Sequence, residues 1–132
     1  MMKTLLLDDH SSQAWIESLR KAVANLNGEL VVVNVMMKEK IRWSDYDLVV
    51  LEAGSIHDLV ATIEEIQKGS PHSQVVVFSP VPQYKQAVEV ILAGAADYYR
   101  QTHDVETLSE ILRKALVSGR SAANRTRKRR EP

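Results

Sequence analysis

The residues of this chain best suited to chemistry are acids and hydroxyls that close short apolar runs. Leu5-Leu6-Leu7 ends in Asp8 and Asp9, Leu48-Val49-Val50-Leu51 ends in Glu52, and Val75-Val76-Val77-Phe78 ends in Ser79. A fourth polar stretch, Tyr98 to Thr102, follows Asp97 and includes Gln101. Paired carboxylates are hard oxygen donors, and their natural guest is a cation such as magnesium. Other chemistries lack their signatures. His10, His57, His72 and His103 are scattered without the spacing of a zinc site. Ser79 has no elbow of flanking glycines, and no glycine-rich loop follows the first apolar run, which argues against a hydrolase and against a nucleotide-binding sheet. With no cysteine, disulfide and thiol chemistry are excluded.

These residues need elements that bring them together. Five apolar runs of strand length, Lys3–Asp8, Leu30–Val35, Asp47–Glu52, Gln74–Ser79 and a shorter one around Asp97–Tyr99, are nearly continuous in Val and Leu rather than alternating. Strands buried on both faces of a parallel sheet read this way. Between them the apolar period is near 3.6. Ile16, Leu19, Val23 and Leu26 share one helix face that stops before Gly28. Ile56, Leu59, Val60, Ile63 and Ile66 form a second, with Ser55 as its expected cap and Asp58 three residues on. Pro82 suits the first turn of a third helix running to Gly94, and Val105 to Leu116 form a fourth ending near Gly119. Met36 to Tyr46 is short for a parallel crossover, so a short or irregular helix is expected there, with Ile41 and Trp43 reaching the core. Strand and helix in alternation predict an α/β domain, an open parallel sheet covered on both faces. In such sheets ligands bind beyond the carboxyl ends of the strands, where Asp8, Asp9, Glu52, Ser79 and the Tyr98–Thr102 stretch all fall.

Length and composition agree. At 132 residues, 45% hydrophobic and 26% charged, with five Gly and four Pro, one globular domain is expected. No apolar run nears the roughly 18 residues of a membrane span, and Met1 to Asp9 does not read as a signal peptide, so a cytoplasmic setting without membrane contact is the expectation. The formal charge of zero hides an asymmetry. Residues 120–132 hold six of the 17 basic residues and one of the 17 acids, a tail of net +5 on a body, 1–119, of net −5. Arg125, Arg127, Lys128, Arg129 and Arg130 are candidate nucleic-acid contacts, although the lack of interleaved aromatics suits a linker better.

From Lys3 to about Leu116 the order of these pieces resembles the receiver domain of two-component response regulators. The resemblance is carried by Leu5-Leu6-Leu7-Asp8-Asp9, by Tyr46 through Glu52, by Val75-Val76-Val77-Phe78-Ser79, and by Gly94-Ala95-Ala96-Asp97-Tyr98-Tyr99. It implies a flavodoxin-like three-layer fold with strand order 2-1-3-4-5 and a role in phosphorelay signalling. It also implies an acidic pocket of Asp8 and Asp9, a switch pair of Ser79 and Tyr98, and Glu52 at the phospho-acceptor position. The departures are as informative. Glu52 stands where receivers carry an aspartate, and Gln101-Thr102 stands where they carry lysine followed by proline, so the chain resembles an atypical receiver or pseudo-receiver.

Both changes work against phosphotransfer. Glutamate carries its carboxylate about 1.5 Å further out, and catalysis by positioning tolerates such displacement badly. Gln101 offers a neutral amide in place of an ammonium. A cis Gln101–Thr102 bond would cost about 2.5–4 kcal/mol, so that loop is expected to be trans. Glu52 then has two readings, a partial mimic of a phosphorylated aspartate or a relic on a scaffold that binds a partner. Asp8, Asp9 and Glu52 remain a weak magnesium site at most, and no cofactor is required. Tyr98 and Tyr99, being adjacent, should face opposite ways. The expected role is a non-enzymatic interaction module, pairing with a protein partner or a second copy through the fifth strand and last two helices. A functional phospho-acceptor served by a histidine kinase is the alternative; the sequence names no such kinase.

Overall fold

The structure, a computed structural model, describes residues 2–9 and 11–130, with side chains up to residue 118. Strands β1 (Met2–Asp8), β2 (Gly28–Asn34), β3 (Leu48–Glu52), β4 (Gln74–Ser79) and β5 (Asp97–Arg100) alternate with helices α1 (Gln13–Asn25), α2 (Leu59–Gly69), α3 (Tyr84–Ala93) and α4 (Val105–Arg130). The sheet is wholly parallel, in the order β2-β1-β3-β4-β5. This is the flavodoxin-like order that the resemblance implied.

Continuous apolar strands produce two cores. Leu6, Val50, Val76 and Phe78 face α1 and α4, while Leu5, Leu7, Val49, Leu51, Val75 and Val77 face α2 and α3. Because each strand contributes to both faces, β3 is buried at every position. At about 25 cal/mol for each Å² of apolar surface removed from water, such strands anchor the fold. The ends of β1, β3 and β4 are therefore held rigidly, and whatever follows them is carried on fixed supports.

The β2–β3 crossover is irregular, as its length requires. It consists of two 3₁₀ turns, Val35–Lys40 and Trp43–Asp45, with Trp43 buried and Ile41 packed beside it. Lys38 ties it to α2 through Glu65, at 3.5 Å, and Thr62, at 3.4 Å. Gly94 closes α3 at φ 122°, a conformation side chains rarely adopt, and a Cβ there would lie 2.7 Å from Gln67 Cγ.

Three boundaries differ from the sequence expectation. Helix α2 begins at Leu59, capped by Asp58, whose carboxylate accepts the Ala61 N–H at 3.0 Å; Ser55 is not the cap. Helix α3 begins two residues after Pro82. Helix α4 does not end near Gly119 but continues to Arg130. Tyr98 and Tyr99 do occupy opposite faces, yet both are half-buried, because β5 is an edge strand covered on each side by one of the two cores.

Candidate functional site

The strand tips open on a cleft of about 450 Å³ lined by Asp9, Ser11, Ser12, Glu52, Pro80, Gln101 and His103. Asp9, Glu52 and Gln101, from three separate segments, share this cleft. Asp8 lies beside it, its carboxylate turned back to accept the Ser11 N–H at 3.2 Å.

Glu52 is only 8% exposed, and its partners explain how a carboxylate can be buried there. Its Oε1 accepts the Gly54 N–H at 2.9 Å, and its Oε2 accepts the Ser55 hydroxyl at 2.8 Å. The extra methylene of glutamate lets the side chain fold back over its own loop, the 3₁₀ turn Ala53–Ser55. Gly54 makes room: a Cβ there would sit 3.1 and 3.2 Å from the two carboxylate oxygens. Ser55 reaches across to β1 as well. Its Oγ accepts the Asp9 N–H at 3.2 Å, and its one proton, directed at Glu52, is shared with the Asp9 carbonyl 3.1 Å away. A single hydroxyl thus joins the tip of β3 to the tip of β1.

Ser79, 4% exposed at the end of β4, accepts the Val81 N–H at 3.2 Å. Its carbonyl accepts the Gln101 N–H at 2.9 Å, which fixes where the Gln101 loop departs from β5. Among the described residues every peptide bond is trans, Gln101–Thr102 included. Tyr98 points toward the start of α3. Its hydroxyl donates to Gln86 Oε1 at 2.6 Å and accepts the Gln83 N–H at 3.2 Å. On the other face Tyr99 packs against Phe78, itself edge-on to Trp15. The Tyr99 hydroxyl donates to Asp97 at 2.7 Å; that bond, then burial and the nearby negative charge, push its pKa up to about 12.

Among the described residues, no three or more His, Cys, Asp or Glu side chains are arranged to hold a metal ion. Both Glu52 oxygens accept protein hydrogens, and Asp8 Oδ1 accepts the Ser11 N–H. Arg125, Arg127, Lys128, Arg129 and Arg130 lie outside the residues whose side chains are described.

Sequence reasoning missed Ser55, Gly54, Ser11, Ser12 and His103 as neighbours of the site. A serine three residues before an acid reads as a helix cap, and nothing local signals that Asp58 takes that duty instead. The Glu-x-Gly-Ser spacing in Glu52 to Ser55 was the available signal: a carboxylate followed by a residue without a Cβ and then a hydroxyl donor.

No protein-family model matches the chain. Among curated proteins it is similar to the transcriptional regulatory protein ZraR of Salmonella typhimurium, 32% identical over 82 residues, 61% of this chain and 19% of that protein. The chain thus spans about a fifth of the curated relative. Among solved structures, the beryllofluoride-activated NtrC4 receiver domain dimer superposes with TM-score 0.77 at 22% identity, over 90% of this chain and 99% of that one. A CheY-like response regulator receiver domain protein from Methanospirillum hungatei superposes with TM-score 0.76 at 15% identity, over 92% and 98%. An atypical orphan response regulator, whose description states a phosphorylation-independent regulatory mechanism, superposes with TM-score 0.71 at 19% identity, over 87% and 95%.

Proposed function

We propose, from the premise that this chain has the fold of a response-regulator receiver domain, that it is a two-component signalling module with degenerate phosphoryl chemistry that acts by binding protein. One observation carries this reading: the carboxylate at the phospho-acceptor position, Glu52, has both oxygens occupied by Gly54 and Ser55. A nucleophile so placed gives up two charge-assisted hydrogen bonds if it swings out to meet a phosphoryl group. Gln101, on the far wall of the cleft, brings no cation to replace the missing ammonium. The domain then needs no cofactor and is not an enzyme with its own substrate. A cytoplasmic setting goes with this role, and among the described residues no helix is long and apolar enough to cross a membrane.

The partner surface is the expected one, β5 with α3 and α4. Helix α3 leaves Tyr84 (86% exposed), Val88, Ile91 and Leu92 (82% exposed) on its outer side, at helical spacing. A second copy is the leading occupant, and the dimeric receiver among the similar structures supports it as an analogy. The experiment is intact-mass measurement after incubation with a small phosphodonor and magnesium. The mass is expected to stay unchanged; a stable phosphoryl adduct would instead assign the alternative, a working phospho-acceptor served by a histidine kinase.

A further inference from the structure

We infer that the turn between α1 and β2 is a site of spontaneous covalent modification, at which Asn27 closes on the Gly28 nitrogen and reopens as aspartate or isoaspartate. The inference is independent of the cleft and of its phosphoryl chemistry. Packing imposes the pair. Helix α1 ends with Leu26 as its C-cap, and Asn27 follows at φ 57°, in the left-handed region that asparagine tolerates better than most residues. Gly28 then passes so close to its neighbours that a Cβ would lie 2.9 Å from Val23 Cγ1 and 3.1 Å from the Met2 carbonyl oxygen. A residue without a side chain is thus required directly after the asparagine.

Both reacting groups are free. Asn27 is exposed, and among the described residues its side-chain amide has no hydrogen-bond partner. Its backbone N–H donates to the Ala24 carbonyl at 3.0 Å, but the Gly28 N–H takes no carbonyl at the end of α1. Nor does the sheet hold it. The Lys3 carbonyl turns toward β3, where it accepts the Asp47 N–H at 2.9 Å, so the even-numbered residues of β1 are those that bond β2. Strand peptide groups alternate in direction, and with Met2 opposite Gly28 it is the odd-numbered residues of β2 that answer them. Leu30 accordingly offers its carbonyl to Arg20, at 3.3 Å, and the Gly28 N–H points outward in the same way.

The reaction needs only water. The Gly28 nitrogen loses its proton to solvent and attacks Asn27 Cγ; the N–C bond forms, the Cγ–Nδ2 bond breaks, and ammonia leaves with a proton from solvent. Water then opens the five-membered imide at either carbonyl, giving aspartate, or isoaspartate with the chain running through the side-chain carbon. Isoaspartate puts one extra carbon into the backbone just ahead of β2, whose pairing with β1 starts at Gly28. Either product adds a negative charge past the C-terminal end of α1, where the helix dipole disfavours it. Asn25 and Asn34 supply the contrast. Asn25 donates to Ser109 Oγ at 3.2 Å and precedes Leu26; Asn34 accepts the Met36 N–H at 2.8 Å and precedes the β-branched Val35.

The test incubates the full chain in mildly alkaline buffer, folded and in urea. Peptide fragmentation by mass spectrometry places any change, and methyl transfer from S-adenosylmethionine by a protein isoaspartyl methyltransferase reports isoaspartate. In the folded chain Asn27 is expected to gain about one mass unit and to accept methyl groups, while Asn25 and Asn34 stay amides. Asn27→Gly, which suits the left-handed turn, is expected to lose both signals. An Asn27 that stays an amide in the folded chain, whatever happens in urea, would overturn the inference. So would aspartate without isoaspartate, conversion at Asn25 or Asn34 as fast as at Asn27, or a methyl signal undiminished in Asn27→Gly.

Discussion

Two serines hold opposite ends of the same sheet, and they do it differently. Ser55 sits past the carboxyl end of β3, and Ser73 sits just before the amino end of β4. Ser73 is 0% exposed, and its hydroxyl donates to the Tyr46 carbonyl at 2.6 Å, with the Trp43 carbonyl at 3.3 Å and Ser70 Oγ at 2.6 Å. Since a carbonyl can only accept, the Ser73 proton goes to Tyr46 and the Ser70 hydroxyl must donate to Ser73. His72 Nδ1 lies 3.3 Å from Ser70 Oγ and completes the chain. Every partner at that end is backbone, hydroxyl or imidazole, and the junction binds the β2–β3 crossover to the α2–β4 loop. At the other end the same hydroxyl chemistry satisfies a carboxylate oxygen on the wall of an open cleft. One junction closes the fold; the other occupies a place where a reactive group would have to be free.

The contrast can be broken by mutation, and the largest effect belongs to the closed end. Ser73→Ala leaves the Tyr46 carbonyl and the Ser70 hydroxyl buried without their partner and is expected to cost about 2 kcal/mol in denaturant unfolding, with no change at the cleft. A loss below a few tenths would mean that water replaces the hydroxyl and that the two ends are alike. Gly54→Ala should act at the open end. The new Cβ crowds both Glu52 oxygens, and a loss of about 1 kcal/mol is expected together with a displaced Gly54 amide resonance. If stability and resonance are both unchanged, the carboxylate is not held where the geometry puts it.

A smaller effect sharpens the picture at β5, beside the cleft. With its pKa raised to about 12, Tyr99 in the folded chain keeps its proton after an unfolded tyrosine, near 10, has lost its own. The folded state then holds more protons between those values, so this group's contribution is complete below about pH 10 and declines as pH rises toward 12. Ultraviolet titration is expected to show Tyr99 ionising late, and Asp97→Asn should return it toward the ordinary range, since the aspartate supplies the largest part of the shift.

Much of the fold was legible because burial on both faces writes itself as unbroken Val and Leu runs, and β4, expected at Gln74–Ser79, occupies those residues. The irregular crossover was legible from its length alone. The meeting of Asp9, Glu52 and Gln101 followed from the rule that parallel strands bring their carboxyl ends to one edge. What could not be read was how Glu52 would use its second carbon. That depends on the turn Ala53–Ser55, whose short-range hydrogen bonds draw on groups 46 residues apart in sequence. The start of α2 was misplaced for the same reason: Ser55 and Asp58 are both good caps, and only the tertiary link to Asp9 decides between them. Nor does adjacency alone tell that Tyr98 and Tyr99 are both half-buried, because the covering on each face of an edge strand comes from distant helices.

The central claim is that the Glu52 carboxylate is held by Gly54 and Ser55 in preference to any ligand of the cleft. A crystal structure of the full chain grown with magnesium and beryllofluoride tests it most directly. Glu52 is expected to keep both hydrogen bonds, with neither ion seated between Asp9, Glu52 and Gln101. A carboxylate swung away from Ser55 and coordinating magnesium or beryllium would contradict the account.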